Sequence, residues 1–171
     1  FRMSSDSMLA AEINNTTELI SACKFEYKSD SLSTDIDTII LSHPYFGLSD
    51  REGFTNFVSN RTIRLYSPSV EYKEDTCFSF SSRVIHKFDR DKFEFLKNRN
   101  YSNEIINYRG NFEKFILFGA SEISDSNPDM NIIRNKIVLM GFMGPDLNNA
   151  VLEDNHFTPL NAEYSGRTEP D

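Results

Sequence analysis

Asn135-Lys136-Ile137-Val138-Leu139-Met140-Gly141 leads into Phe142-Met143-Gly144-Pro145-Asp146 and closes with Asp154-Asn155-His156-Phe157-Thr158-Pro159-Leu160. An apolar run of this length, bounded by Gly and Pro, reads as a buried strand. Gly141 at its end would let the chain turn sharply or approach another group closely. In an open α/β sheet, the loop leaving a strand's carboxyl end is where ligands most often sit. The stretch therefore predicts a central strand and a polar loop. The same residues also read as a core strand with an ordinary surface loop.

Upstream, Asp6 to Ile20 has helical spacing of Met8, Leu9, Ile13 and Leu19-Ile20, with Asp6 as N-cap. Ala22 to Tyr27 alternates Cys23, Phe25 and Tyr27 and predicts a strand. Lys28 to Asp37 is Ser- and Asp-rich and reads as a loop, followed at Thr38 to Leu41 by a short strand or the end of an irregular connection. His43-Pro44-Tyr45-Phe46-Gly47 is turn-like. Gly53 to Val58 and Ile63 to Tyr66 predict an antiparallel hairpin across Ser59-Asn60-Arg61-Thr62, ended by Ser67-Pro68.

Thr76 to Phe95 reads as the longest helix, capped by Asp75 or Thr76, with a break near Asp89-Arg90-Asp91. Phe80, Val84, Ile85, Phe88 and Phe95 form its apolar side. Strands are predicted at Ile105 to Tyr108 and at Phe115 to Phe118, and short helical turns at Ser121 to Ile133. The fold class is α/β: a central mixed β-sheet with an antiparallel hairpin and helices packed on its faces.

The chain has 171 residues, which suits a single domain over 1–171. Hydrophobic residues make up 39% and charged residues 26%, the balance of a globular domain with a core. A net charge of −8 lacks the basic footprint that nucleic acid or anionic lipid requires. No apolar run is long enough to span a bilayer. Phe1-Arg2-Met3-Ser4 lacks an initiator methionine and Gly166 to Asp171 has no closing element, so a longer parent protein is expected. Two cysteines, Cys23 in a strand and Cys77 near a helix start, leave one disulfide and two buried free thiols both open, with free thiols the default.

Chemistry is sought in the loops. His43 and His86 fall in a turn and in a helix, and no Gly-x-Ser-x-Gly elbow or Gly-rich phosphate loop occurs. No catalytic residue and no cofactor is predicted. Asp146, Glu153, Asp154 and His156 share one loop, but their spacing is not that of an EF-hand, so no metal site is assigned. The candidate ligand-binding residues are Tyr108, Arg109, Asp146, Asp154, His156 and Thr158. Arg109, directly after a strand, could clamp a carboxylate or phosphate, or pair internally with Asp154. Tyr108 could stack on a ligand or cover the sheet edge, and Asp154 with Thr158-Pro159 could simply hold the turn.

Several pieces in order resemble one family. Asp6-xx-Leu9-Ala10 is similar to its early helix, and Gly53-Phe54-Thr55-Asn56 to Ile63-Arg64-Leu65 to its strand pair. Phe78-Ser79-Phe80 matches a helix start, and Ile106-Asn107-Tyr108-Arg109-Gly110 a strand and turn. Asn135 to Gly141 with Asp154-xxx-Thr158-Pro159-Leu160 resembles its C-terminal signature. The family is the type-two CHASE domain, a cyclase- and histidine-kinase-associated sensory extracellular domain of bacteria. The resemblance implies a sensor on the periplasmic face of the inner membrane, lacking here the family's first strand and helix and its membrane helices. It implies output through a cytoplasmic cyclase or kinase, and as partners an unidentified small molecule or envelope component, the protein's own transmembrane helices and a homodimer. The alternative is a structural or dimerisation module without a small-molecule ligand.

Overall fold

The computed structural model describes residues 3–28, 35–48, 50–57, 62–110, 114–124, 131–141 and 158. The chain divides into two compact units: residues 1–58 with 65–104, and residues 59–64 with 105–171.

The first unit opens with helix α1 (Met3–Asn15), which begins before Asp6 and ends short of Ile20. Arg51 holds its C-terminal end. The guanidinium donates to the carbonyls of Ile13 at 3.1 Å and Thr16 at 2.8 Å, and to that of Gly47 at 3.2 Å. A cation on the last carbonyls of a helix satisfies acceptors that have no partner within the helix. Gly47 ends a 3-10 turn (Pro44–Phe46) with φ of 61°, and His43 Nδ1 caps that turn by accepting from Tyr45 N.

Strand β1 (Ser21–Tyr27) is the middle of a three-stranded mixed sheet. It runs antiparallel to β2 (Ile36–Ile40) and parallel to β3 (Glu52–Phe54). Its alternation places Phe25, 2% exposed, on the core face. There its ring meets that of Phe54 at 4.8 Å. Beyond β3 the ladder continues through a side chain. Asn56 Oδ1 accepts from Phe25 N at 2.7 Å, and Asn56 Nδ2 donates to Phe25 O at 3.0 Å.

The predicted hairpin between Gly53–Val58 and Ile63–Tyr66 is corrected. β3 pairs in parallel with β1, and β4 (Leu65–Tyr66) pairs with β7 (Glu104–Ile105). Short loop length suggested a hairpin, but pairing is decided by which strand edge is free, and β1 offers that edge to β3. The hairpin that does form joins β5 (Ser69–Tyr72) to β6 (Asp75–Phe78). Its two turn residues, Lys73 and Glu74, both have positive φ, 50° and 72°. Two-residue turns with both φ positive normally carry Asn and Gly, and that signal is missing here.

The expected helix over Thr76–Phe95 is corrected as well. Its first residues are β6, and the helical part is split into α2 (Phe80–Phe88) and α3 (Arg90–Arg99). The cap is Ser79, whose Oγ accepts from Ser82 N at 3.2 Å; neither Asp75 nor Thr76 serves. Ser82 is fully buried and donates to Pro68 O at 2.8 Å, tying α2 to the residue before β5. The break falls at Asp89, as the charge cluster predicts. Its extended backbone ends α2, and its carboxylate accepts from Lys92 N to start α3. Lys92, as hydrogen-bond partner and then as nearby charge, holds the Asp89 carboxyl below its usual range. Phe88 and Phe95 are exposed; the buried side chain of α3 is Phe93, against Phe78 and His86.

In the second unit, Tyr108 Oη donates to Ile63 O at 2.7 Å and Ile106 N to Arg64 O at 2.9 Å. Helix α4 (Ala120–Ser124) starts with Glu122 accepting from Gly119 N at 2.5 Å. Phe115 to Phe118 forms no strand, and strand pairing at the Ile105–Tyr108 stretch reaches only Ile105. The opening strand of the sequence reading is also corrected. Residues 136–141 carry no ladder, and Leu139 and Met140 are 70% and 87% exposed. An apolar run specifies what favours burial; a strand also needs a hydrogen-bonding partner, which the run does not encode. Among the described residues nothing lies within 4 Å of a Cβ position at Gly141, so none of them makes a close approach there.

Gly53 differs. A Cβ there would lie 2.6 Å from Phe80 Cα and 2.7 Å from Phe80 N, so the start of α2 sits on the bare glycine. Gly53→Ala is expected to lower stability in urea unfolding by about 1–3 kcal/mol, the usual cost of forcing extra atoms into a packed core. Gly141→Ala serves as the near-neutral comparison. Replacing Lys73-Glu74 by Asn-Gly is expected to raise the urea midpoint, a gain of about 1 kcal/mol from relieving left-handed strain.

Candidate functional site

The first unit contains an open basin of about 1010 Å³ between β2, the end of β1 and the β5–β6 hairpin. Its aromatic lining is Tyr27, Phe54, Phe57 and Tyr72. Asp35, Asp37 and Glu71 supply acidic groups, and Lys28 and Lys73 basic ones.

Each wall has a local cause. In the β1–β2 ladder Glu26 faces Thr38 while Tyr27 faces Ile36, so Asp37 is an extra residue forming a β-bulge. Bulges interrupt alternation and re-aim side chains, and they are frequent beside functional sites. Tyr72 Oη donates to the Asp37 carbonyl at 3.0 Å, joining the hairpin to the bulge. The Tyr72 ring also lies 6.4 Å from that of Phe25, so the basin floor is continuous with the Phe25–Phe54 pair.

Charges around the basin are arranged unequally. Lys28 Nζ pairs with Asp35 at 3.6 Å. Lys73 Nζ stands 4.8 Å above the centre of the Tyr72 ring, a cation–π distance. The Tyr72 hydroxyl, as hydrogen-bond partner, raises the Lys73 ammonium above its usual range. The Glu71 carboxylate accepts from Thr76 Oγ1 at 2.8 Å.

The residues expected to form the site from the sequence are placed as follows. Tyr108 is half-buried with its hydroxyl on Ile63 O, and burial raises its pKa. Its hydroxyl thus has a structural partner. Arg109 is exposed and Thr158 half-buried. Asp146, Asp154 and His156 lie outside the described residues, as does any pairing of Arg109 with Asp154. Tyr108 and Arg109 belong to the second unit, whereas the basin belongs to the first. Sequence reasoning missed the basin because Lys28–Asp37 reads as a loop and residues 70–75 match no template. The alternation of Val70 and Tyr72 was the one available signal for β5.

Cys23 and Cys77 are free, half-buried thiols; Cys77 lies in β6, two residues before Ser79, the cap of α2, and so near a helix start as expected. Burial, then the Glu52 charge, then Cys77 itself push Cys23 up to about 11, against an opposing pull from Arg83. Burial and then Asp75 raise Cys77. Both shifts run opposite to the lowered pKa that activates a cysteine nucleophile. Among the described residues no group of three His, Cys, Asp or Glu side chains is placed to hold a metal ion. No helix among them is long and apolar enough to cross a membrane. Compared with protein-family models, curated proteins and solved structures, the chain shows no match.

The fold binds the Cys23 proton more tightly than the unfolded chain, whose thiol keeps the ordinary value of 9.0. This contribution to stability is full below pH 9 and declines as pH rises towards about 11. Cys23→Ala is therefore expected to flatten the loss of stability over that window. Alkylation of Cys23, followed by mass spectrometry, is expected to keep accelerating past pH 9.0, where the unperturbed thiol is half ionised.

Proposed function

We propose that this chain is a ligand-binding sensory module, and that the basin of its first unit is where the ligand sits. The observation that carries the reading is the combination of an open basin of about 1010 Å³, four aromatic lining residues and a β-bulge that brings Asp37 to its edge. Pockets of this order, mostly apolar with a few convergent polar groups, are the usual form of a small-molecule site. Tyr27, 48% exposed, leaves aromatic surface that a ligand would cover.

The wider context is part of the proposal and is supported by the sequence resemblance alone. In it the module lies on the periplasmic side of a bacterial inner membrane, anchored by segments outside this chain. Ligand binding biases two arrangements of the module, and the difference passes to a cytoplasmic cyclase or kinase. Such a shift requires different affinities for the two arrangements. No turnover is part of this reading.

A second reading, a dimerisation module without a ligand, is favoured by the apolar side chains of residues 137–140, all half-exposed or more. Sedimentation separates the two: a concentration-dependent dimer that no metabolite stabilises supports the second. For the first, a thermal-shift screen of small metabolites is expected to find a stabilising compound. Binding at a hundredfold excess over Kd adds roughly 2.7 kcal/mol. Tyr27→Ala is expected to remove that shift while leaving the ligand-free melt nearly unchanged. A wide panel without any shift overturns the reading.

A further inference from the structure

We infer that the basin takes an organic cation, an alkyl- or trimethylammonium group carried on a small polar body. The inference rests on the basin being the ligand site. It starts from a contact the chain makes with itself: Lys73 Nζ stands 4.8 Å over the Tyr72 ring. An ammonium at this distance from a ring centre is held by the ring's negative face. Lys73 is thus a tethered stand-in for the group the site recognises, borne on a strained turn at the basin's edge.

The charges favour the same sign. Asp35, Asp37 and Glu71 against Lys28 and Lys73 leave the lining one negative charge in excess. Lys28 is engaged by Asp35, so it is not presented singly to an anion. Asp37, whose charge acts on Lys73, is the residue the bulge places at the rim beside Tyr72. A chain carrying −8 overall also concentrates cations at its surface. Tyr27 and Phe57 supply further ring surface without adding positive charge. Carboxylate and aromatic faces together are the chemistry that selects an ammonium over its uncharged isostere, since only the charged form gains from the quadrupole and from the carboxylate.

The test uses the full chain with choline and its neutral carbon isostere, 3,3-dimethylbutan-1-ol, titrated by NMR chemical-shift perturbation. Choline is expected to bind at least tenfold more tightly than the isostere. Asp37→Asn is expected to reduce that preference severalfold. Lys73→Ala, at an exposed turn position, is expected to tighten choline binding, because it vacates the Tyr72 face and removes a like charge. Equal affinity for the two probes, no binding of choline up to tens of millimolar, or weaker choline binding in Lys73→Ala overturns the inference. The last result would mark Lys73 as an anion ligand. Stabilisation by an anionic or neutral metabolite, lost in Tyr27→Ala, would overturn the cation while leaving the basin as a ligand site.

Discussion

The first unit depends on the close approach of α2 to β3 at Gly53. A side chain there would overlap the backbone of Phe80, so the helix and strand meet backbone to backbone. This contact fixes where α2 starts, and Ser79 and Ser82 reinforce it. Ser79 caps the helix and forms a parallel bridge to Phe54, and Ser82 binds Pro68. With β3 held, Phe54 lies against Phe25, and Asn56 completes the hydrogen bonding of β1. Buried backbone groups require partners, and here a side-chain amide supplies what a longer strand would have supplied.

The basin follows from the same geometry. Phe25 passes contact from the sheet to Tyr72, and Tyr72 reaches the carbonyl of the bulged Asp37. The hairpin bearing Tyr72 turns through two non-glycine residues in left-handed conformation, a local cost that the pairing of β5 with β6 must offset.

Much of the first unit was legible in the sequence. The alternation of Cys23, Phe25 and Tyr27 predicted β1, and the Asp89-Arg90-Asp91 cluster predicted the break between α2 and α3. Both are local signals: strand alternation follows from the pleat, and an Asp followed by amides of the next turn is an N-cap. The hairpin at Lys73-Glu74 was not legible, because positive φ at Lys and Glu is imposed by the pairing of β5 with β6. The candidate site was not legible either. Tyr27, Asp37 and Tyr72 come from three separate strands and share a cavity only because of register and a bulge. The loop residues favoured by sequence, Arg109 among them, were chosen by position after an expected strand, and that strand extends only to Ile105.

By itself, the sequence determined the α/β class, the helix and strand character of most of the first unit, and a net charge of −8. These rest on periodicity, caps and charge count, which are properties of neighbours along the chain. Only the tertiary structure decided that β3 runs beside β1 in parallel, that residues 136–141 form no ladder, and which side chains share a basin. Strand pairing requires two edges to be free at one place, and a cavity requires walls from distant segments; neither condition is written in any single stretch.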